Sequence, residues 1–322
     1  MEIYQTGIDV SRYQGIIDWQ QVAAGKQFAI VRAASSNSGG VYVDPYFEKN
    51  IADAKAAGLR VGVYYYTYAR TEDAVINELD VVLAALEGLK LEYPVFVDVE
   101  ASSLQSLGRA ELTRLVRFAM DILDQKGWYP GYYTYTNFIQ NYLNPAQLAA
   151  YPLWIADYRG YVGYQGDYAI WQYSSTGRVN GISGNVDLNY SYKDFLPLIR
   201  AAGKNGYGQG PATLPLTGTE LVVYQSGALY YYAPETTALA GTLEAGRYPA
   251  LAVTDGAWNG AVWAQFLYGG GEYWAPLQAG ATGLAAADGG DCEAIRAQLE
   301  QAQAKLELTR QSLDWLLAEL EQ

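Results

Sequence analysis

The 322-residue chain has no histidine and a single cysteine, Cys292, which excludes Ser–His–Asp and Cys–His nucleophiles in their usual forms, the common zinc hydrolase sites and any intrachain disulfide. Its formal net charge of −13 argues against nucleic acid or an anionic membrane as partner, and it carries neither a G-x-x-x-x-G-K-[ST] loop nor a G-x-G-x-x-G turn after a strand. What remains for chemistry is carboxylates, amides and aromatics, with 30 Tyr and 8 Trp suited both to stacking on sugar rings and to β-sheets.

The chain opens Met-Glu-Ile-Tyr-Gln-Thr-Gly, with no basic n-region and no apolar h-region, and no long apolar run follows. Neither a signal peptide nor a membrane span is expected. Short apolar runs then alternate with helical patterns. Strands are predicted at 5–10, 27–33, 61–67, 94–99, 130–135, 152–157, 168–173 and 185–189, and helices at 18–25, 45–57, 72–88, 109–126 and 137–150. The 109–126 segment has the clearest stripe, through Leu112, Leu115, Val116, Ala119, Ile122 and Leu123. Gly58, Gly88 and Gly127 stand where helix stops are expected. The alternation implies a parallel sheet closed into an α/β barrel: five helical crossovers, then three strands that lack them.

Active sites of such barrels collect at the C-terminal strand ends. The fourth strand, Tyr93-Pro94-Val95-Phe96-Val97-Asp98-Val99-Glu100, ends in two carboxylates at i and i+2, on one face and about 7 Å apart at Cα. Burial and mutual repulsion raise the pKa of one member of such a pair and leave the other ionised, which suits acid catalysis of glycoside cleavage; solvated carboxylates at a strand end are the plain alternative. Asp9, Asp157 and Asp187 fall at the same rim, with Tyr66, Tyr133, Trp154 and Gln172.

Several ordered segments resemble family 25 glycoside hydrolases, the Chalaropsis-type muramidases of bacteria and their phages. They are Gly7-Ile8-Asp9-Val10-Ser11-Arg12-Tyr13-Gln14-Gly15, Ile17-Asp18-Trp19, Asp44-Pro45-Tyr46-Phe47, Gly58–Tyr64, Asp98-Val99-Glu100, Leu153–Tyr158, Trp171–Ser174 and Gly184–Asn189. The resemblance spans residues 6–195 and implies an irregular TIM-like barrel of five β/α units plus three strands. It implies Glu100 as acid/base, Asp98 as its partner, and Asp9 and Asp187 in the same cleft. Tyr66, Tyr133, Trp154, Asp157, Tyr158 and Gln172 are the candidate substrate-binding residues. Family members often carry a His after the third strand's Tyr, where this chain has Tyr65 or Tyr66. The implied substrate is the β-1,4 link between N-acetylmuramic acid and N-acetylglucosamine in peptidoglycan, with no metal or cofactor. Asp98 acts either as nucleophile or by orienting the substrate's own acetamido group. Two other readings stay open: a catalytically inactive wall-binding or tail structural protein, and a glycosidase on another N-acetylhexosamine polymer such as chitin.

The barrel is assigned to 1–203. Residues 204–216, rich in Gly, read as a linker. Residues 217–280 carry strands at 221–224, 229–232, 248–253, 261–266 and 272–274, expected as a small all-β domain loosely similar to bacterial SH3-like wall-binding modules. Its Tyr230, Tyr232, Trp258, Trp263, Tyr273 and Trp274 serve either as a ligand face or as the core. From 288 to 322 a helix is expected, with Cys292, Leu299, Leu306, Leu313 and Leu320 at one heptad position and Ile295, Ala302, Thr309 and Leu316 at the other. This seam predicts a homo-oligomer through residues 291–322. The whole reads as a phage endolysin, held in the host cytoplasm until lysis.

Overall fold

The computed structural model describes residues 2–37, 39–208, 213–232, 234, 239–254 and 261–287. The chain divides into two compact units, with the boundary between Gln209 and Gly210.

The first unit is a closed eight-stranded barrel. Its strands are β1 (Gln5–Val10), β2 (Phe28–Asn37), β4 (Arg60–Tyr66), β5 (Val95–Asp98), β6 (Pro130–Tyr135), β7 (Leu153–Ala156), β8 (Ile170–Gly177) and β9 (Val186–Ser191); β3 (Gly40–Val43) is an appendage. They run β1-β9-β8-β7-β6-β5-β4-β2, and β1 pairs with β2 to close the ring. Pairing is parallel from β1 through β8 by way of β2 and β4–β7, while β9 lies antiparallel to both β8 and β1. Helices α1 (Trp19–Ala23), α2 (Phe47–Ala56), α3 (Glu72–Leu86), α4 (Arg109–Gln125) and α5 (Thr136–Tyr142) fill the first five crossovers, and none separates β7, β8 and β9, as expected. The α4 stripe buries Leu112, Leu115, Val116, Ala119 and Leu123 against the outer barrel wall, each buried Leu contributing roughly 1.5–3 kcal/mol.

Strand alternation sorts the side chains. Val95, Val97 and Val99 face the helices, while Phe96 and Asp98 face the interior. The closed floor of the barrel alternates large and small residues: a Cβ on Gly131 would lie 2.6 Å from the Phe96 ring, so only glycine fits there.

Three features differ from expectation. β2 runs past the barrel to pair antiparallel with β3, through a Ser-rich stretch that reads as loop. A short helix α6 (Phe195–Ala201) follows β9; its Pro197 looks like a breaker, but a first-turn Pro forfeits no helical hydrogen bond. Phe195 plugs the floor, 5.2 Å from the Tyr93 ring. Thirdly, the proposed linker begins inside the barrel unit. Asn205 is fully buried, its Nδ2 donating to Tyr93 O at 2.9 Å and its Oδ1 accepting from Tyr129 N at 2.7 Å.

The second unit is one antiparallel sheet of β10 (Thr213–Val223), β11 (Ala228–Tyr231), β12 (Leu239–Leu243), β13 (Gly246–Thr254), β14 (Trp263–Tyr268), β15 (Gly271–Pro276) and β16 (Thr282–Ala286), in the order β12-β11-β15-β14-β13-β10-β16. Two strands more than expected are present, and β10 starts within the proposed linker. Trp263 is core, 1% exposed against Tyr231, while Tyr230 and Tyr273 pack edge-to-face at 4.9 Å and stay partly exposed. Trp258 and the heptad segment 288–322 lie outside the described residues.

Candidate active site

Register builds the site. Tyr66 of β4 is level with Asp98 of β5, Asp98 with Tyr133 of β6, and Tyr133 with Trp154 of β7. On the far side Asp9 of β1 is the direct cross-strand partner of Asp187 of β9, and Gln172 of β8 that of Asn189. The inward residues of these rows line a cleft of about 300 Å³ at the C-terminal mouth.

Four carboxyl groups share it. Asp98 is 4% exposed and its Oδ1 has no hydrogen-bond partner among the described residues. Burial first, then the charges of Glu100 and Asp9, push its pKa well above the usual carboxylate range; Arg32 opposes this. Glu100, two residues beyond β5, is less buried, and burial followed by the Asp187 charge raises its pKa as well. Asp9 is raised well above its ordinary value by burial and by Asp187, against hydrogen bonds from Asn189 and Gln172. Asp187 is raised by burial, and its hydrogen bond with Asp9 works the other way. Like charges this close cannot all ionise, so the cleft holds protons at pH values where ordinary carboxylates have lost them.

Gln172 is the hub of the polar wall. Its Nε2 donates to Asp9 Oδ2 at 2.8 Å, and its Oε1 accepts from Tyr133 OH at 2.9 Å and Tyr158 OH at 2.6 Å. Tyr158 stays half-exposed at the lip.

The structure brings Asp9, Tyr66, Asp98, Glu100, Tyr133, Trp154, Tyr158, Gln172 and Asp187 into this one cleft. Asp157 is elsewhere. Its carboxylate accepts from Thr136 Oγ1 at 2.7 Å, Arg159 Nε at 2.8 Å and Gly163 N at 2.9 Å, tying down the loop after β7. The Arg159 pair holds its pKa far below the usual range, and it borders a neighbouring cavity instead. Of the two Tyr considered in place of the family His, Tyr65 points outward into the helix-facing core and Tyr66 enters the cleft. The sequence reading missed Arg32, Tyr64 and Tyr13, which also line the cleft, and Asn189 behind it. Arg32 continues the inward alternation of Phe28 and Ile30, and Tyr64 shares parity with Tyr66, so strand period alone was the available signal. Arg32 is buried and paired with Asp44, its Nε donating to Asp44 Oδ2 at 2.8 Å. Among the described residues no three acidic or sulfur side chains converge as metal ligands.

A closed β/α barrel whose C-terminal mouth gathers four carboxyl groups among tyrosines has the paired-carboxylate arrangement that glycoside hydrolysis uses. Residues 8–182 match the glycosyl hydrolases family 25, and the chain belongs to that family. It is 34% identical over 192 residues to the autolytic lysozyme of Clostridium acetobutylicum, covering 57% of this chain and 54% of that protein, so it spans about half the length of that relative. The solved structure of the CTP1L endolysin is similar at 27% identity and a TM-score of 0.53, covering 61% of this chain and 70% of that one. The modular autolysin LytC of Streptococcus pneumoniae is similar at the same identity and TM-score, over 58% of this chain and 46% of LytC.

Proposed function

We propose that the chain hydrolyses the β-1,4 bond between N-acetylmuramic acid and N-acetylglucosamine in peptidoglycan, with Glu100 as acid/base and Asp98 assisting. The observation that carries this is the Asp98–Glu100 pair: two carboxyl groups of raised proton affinity, one deep and one near the cleft's opening, on adjacent inward positions of one strand end. The lysozyme and autolysin relatives support the substrate class.

The unpartnered Oδ1 of Asp98 is a buried acceptor in want of a donor. The N–H of a 2-acetamido group supplies one. That hydrogen bond favours the ionised form of Asp98, so substrate binding moves the proton from Asp98 to Glu100, and the resulting charge on Asp98 keeps it there. Glu100 then gives its proton to the glycosidic oxygen as the C1–O bond breaks. The acetamido carbonyl oxygen bonds to C1, held in line by Asp98. Water next adds to C1, its proton passing to Glu100, and the acetamido group is restored.

The β unit, with its partly exposed Tyr230 and Tyr273, is proposed to hold the wall, and residues 288–322 to hold copies of the chain together. Likeness to the CTP1L endolysin supports an endolysin role, exercised on the wall after release from the host cytoplasm. Mass spectrometry of digests of purified peptidoglycan and of chitin tests the reading. Products with muramic acid at the reducing end, from peptidoglycan alone, are expected. Chitin cleavage points to the broader glycosidase, and no product from either to an inactive wall-binding protein.

A further inference from the structure

Asp9 sits at the end of a hydrogen-bond relay whose direction is imposed from its far end. Trp154 Nε1 donates to Asn189 Oδ1 at 2.8 Å. An indole N–H only donates, so the Asn189 amide has a single orientation here: oxygen toward Trp154, NH2 toward Asp9. Asn189 Nδ2 then donates to Asp9 Oδ2 at 2.8 Å, the oxygen that also accepts from Gln172. An oxygen that accepts two amide N–H groups cannot carry a proton aimed at them. A proton on Asp9 is thereby confined to Oδ1 and available to Asp187, which lies within hydrogen-bonding reach. Asp187 in turn acts on Glu100.

We propose that Asn189, wholly buried and out of reach of any substrate, is a positioning residue for the acid: clamped by Trp154, it holds one edge of Asp9 as acceptor so that the other edge donates to Asp187 and favours its charged form beside Glu100. This rests on Glu100 being the acid. The other ionisable groups acting on or near Asp9 are Asp98, Tyr64, Tyr133 and Tyr158, with Arg32 and its partner Asp44 beyond Asp98. Substitution at 189 leaves all of these in place. Without the Asn189 N–H, Gln172 alone holds Oδ2, the Asp9 acid group turns more readily, Asp187 keeps a weaker donor and takes up a proton at higher pH, and Glu100 loses part of its neighbour's charge. Glu100 then deprotonates at lower pH, and the basic limb of the rate profile moves with it.

The test follows kcat and KM against pH on a soluble peptidoglycan fragment, with the full chain and its Asn189→Leu, Asn189→Asp and Trp154→Phe variants, each checked for folding by near-UV circular dichroism. For Asn189→Leu, kcat should fall about tenfold with KM within about twofold, and the basic limb should move down by roughly half to one pH unit. Asn189→Asp keeps the shape and, when protonated, the donor, so it should increasingly outperform Asn189→Leu as pH falls. Trp154→Phe frees the Asn189 amide and should shift the limb the same way, by less; this arm and Asn189→Asp decide the matter if Asn189→Leu does not fold. A ¹³C carboxyl titration reads Asp187 directly, and its midpoint should rise in the folded variants. A wild-type profile in folded variants, or an unmoved Asp187 midpoint, overturns the relay. If the wild-type chain cleaves nothing, the assigned reaction falls, and the Asp187 titration still decides the relay by itself.

Discussion

Asp157 offers a sharp test because two roles compete for it: substrate contact, expected from its place at the rim, and anchorage of the loop after β7. Its carboxylate accepts from Thr136, from two nitrogens of Arg159 and from Gly163 N. Asp157→Asn keeps the shape, removes the charge and leaves one acceptor oxygen for donors that reach both. Hydrogen bonds to a buried charged group contribute about 1.5–3 kcal/mol each, but the Arg159 side chain is 56% exposed, so screening reduces its share to about 1 kcal/mol or less. The net loss should be about 2–4 kcal/mol, or roughly 5–15 °C in melting temperature for a unit of this size. The sign with pH is fixed by the depressed pKa: the stabilisation is present above the unfolded carboxyl pKa of about 4 and drains away as pH falls toward the folded value. Urea denaturation at pH 7 and pH 3 should therefore show the gap between wild type and variant narrowing by about 1 kcal/mol. At temperatures where both are folded, KM on soluble fragments should hardly change. An unchanged melting temperature with a manyfold higher KM would refute anchorage and restore substrate contact.

Asp98→Asn should cut kcat by on the order of 10²-fold or more while preserving the fold, because a neutral amide neither takes up the acetamido N–H as strongly nor keeps Glu100 protonated; steady-state rates on soluble fragments check this. Gly131→Ala should cost at least about 1–3 kcal/mol by chemical denaturation, since the new methyl meets the Phe96 ring and the Pro152 carbonyl in the packed floor. A chain ending at Gly208 should fold and cleave fragments at the full rate yet bind intact walls less well in pelleting assays. Equal pelleting would remove the targeting role from the β unit. Light scattering should give an oligomer for the full chain and a monomer when it ends at Ala287.

The barrel was legible because its strands are continuous apolar runs and its helices carry apolar stripes, so period and Gly stops at 58, 88 and 127 sufficed; all three adopt the left-handed backbone these stops use. The pairing of Asp98 with Glu100 was legible because i and i+2 must share a face. Legibility failed where tertiary context decides. Asn205 reads as linker among glycines, and only the Tyr93 and Tyr129 backbones it bridges make it structural. Asp157 has the sequence signature of a rim acid, and the donors that claim it come from α5 and the following loop. Asn189 shares its parity with Asp187 but carries no signal of a role; that Trp154 and Asp9 enclose it depends on a register no local pattern encodes.

Glu100 is assigned as the proton donor, and the most direct measurement is the rate of reducing-end release from purified peptidoglycan by Glu100→Gln, with folding verified by circular dichroism and melting temperature. Gln keeps the size and hydrogen-bonding reach of Glu100 without a transferable proton. A folded variant with release lowered on the order of 10²–10⁴-fold is expected. A folded Glu100→Gln protein that releases reducing ends at the wild-type rate would contradict the assignment.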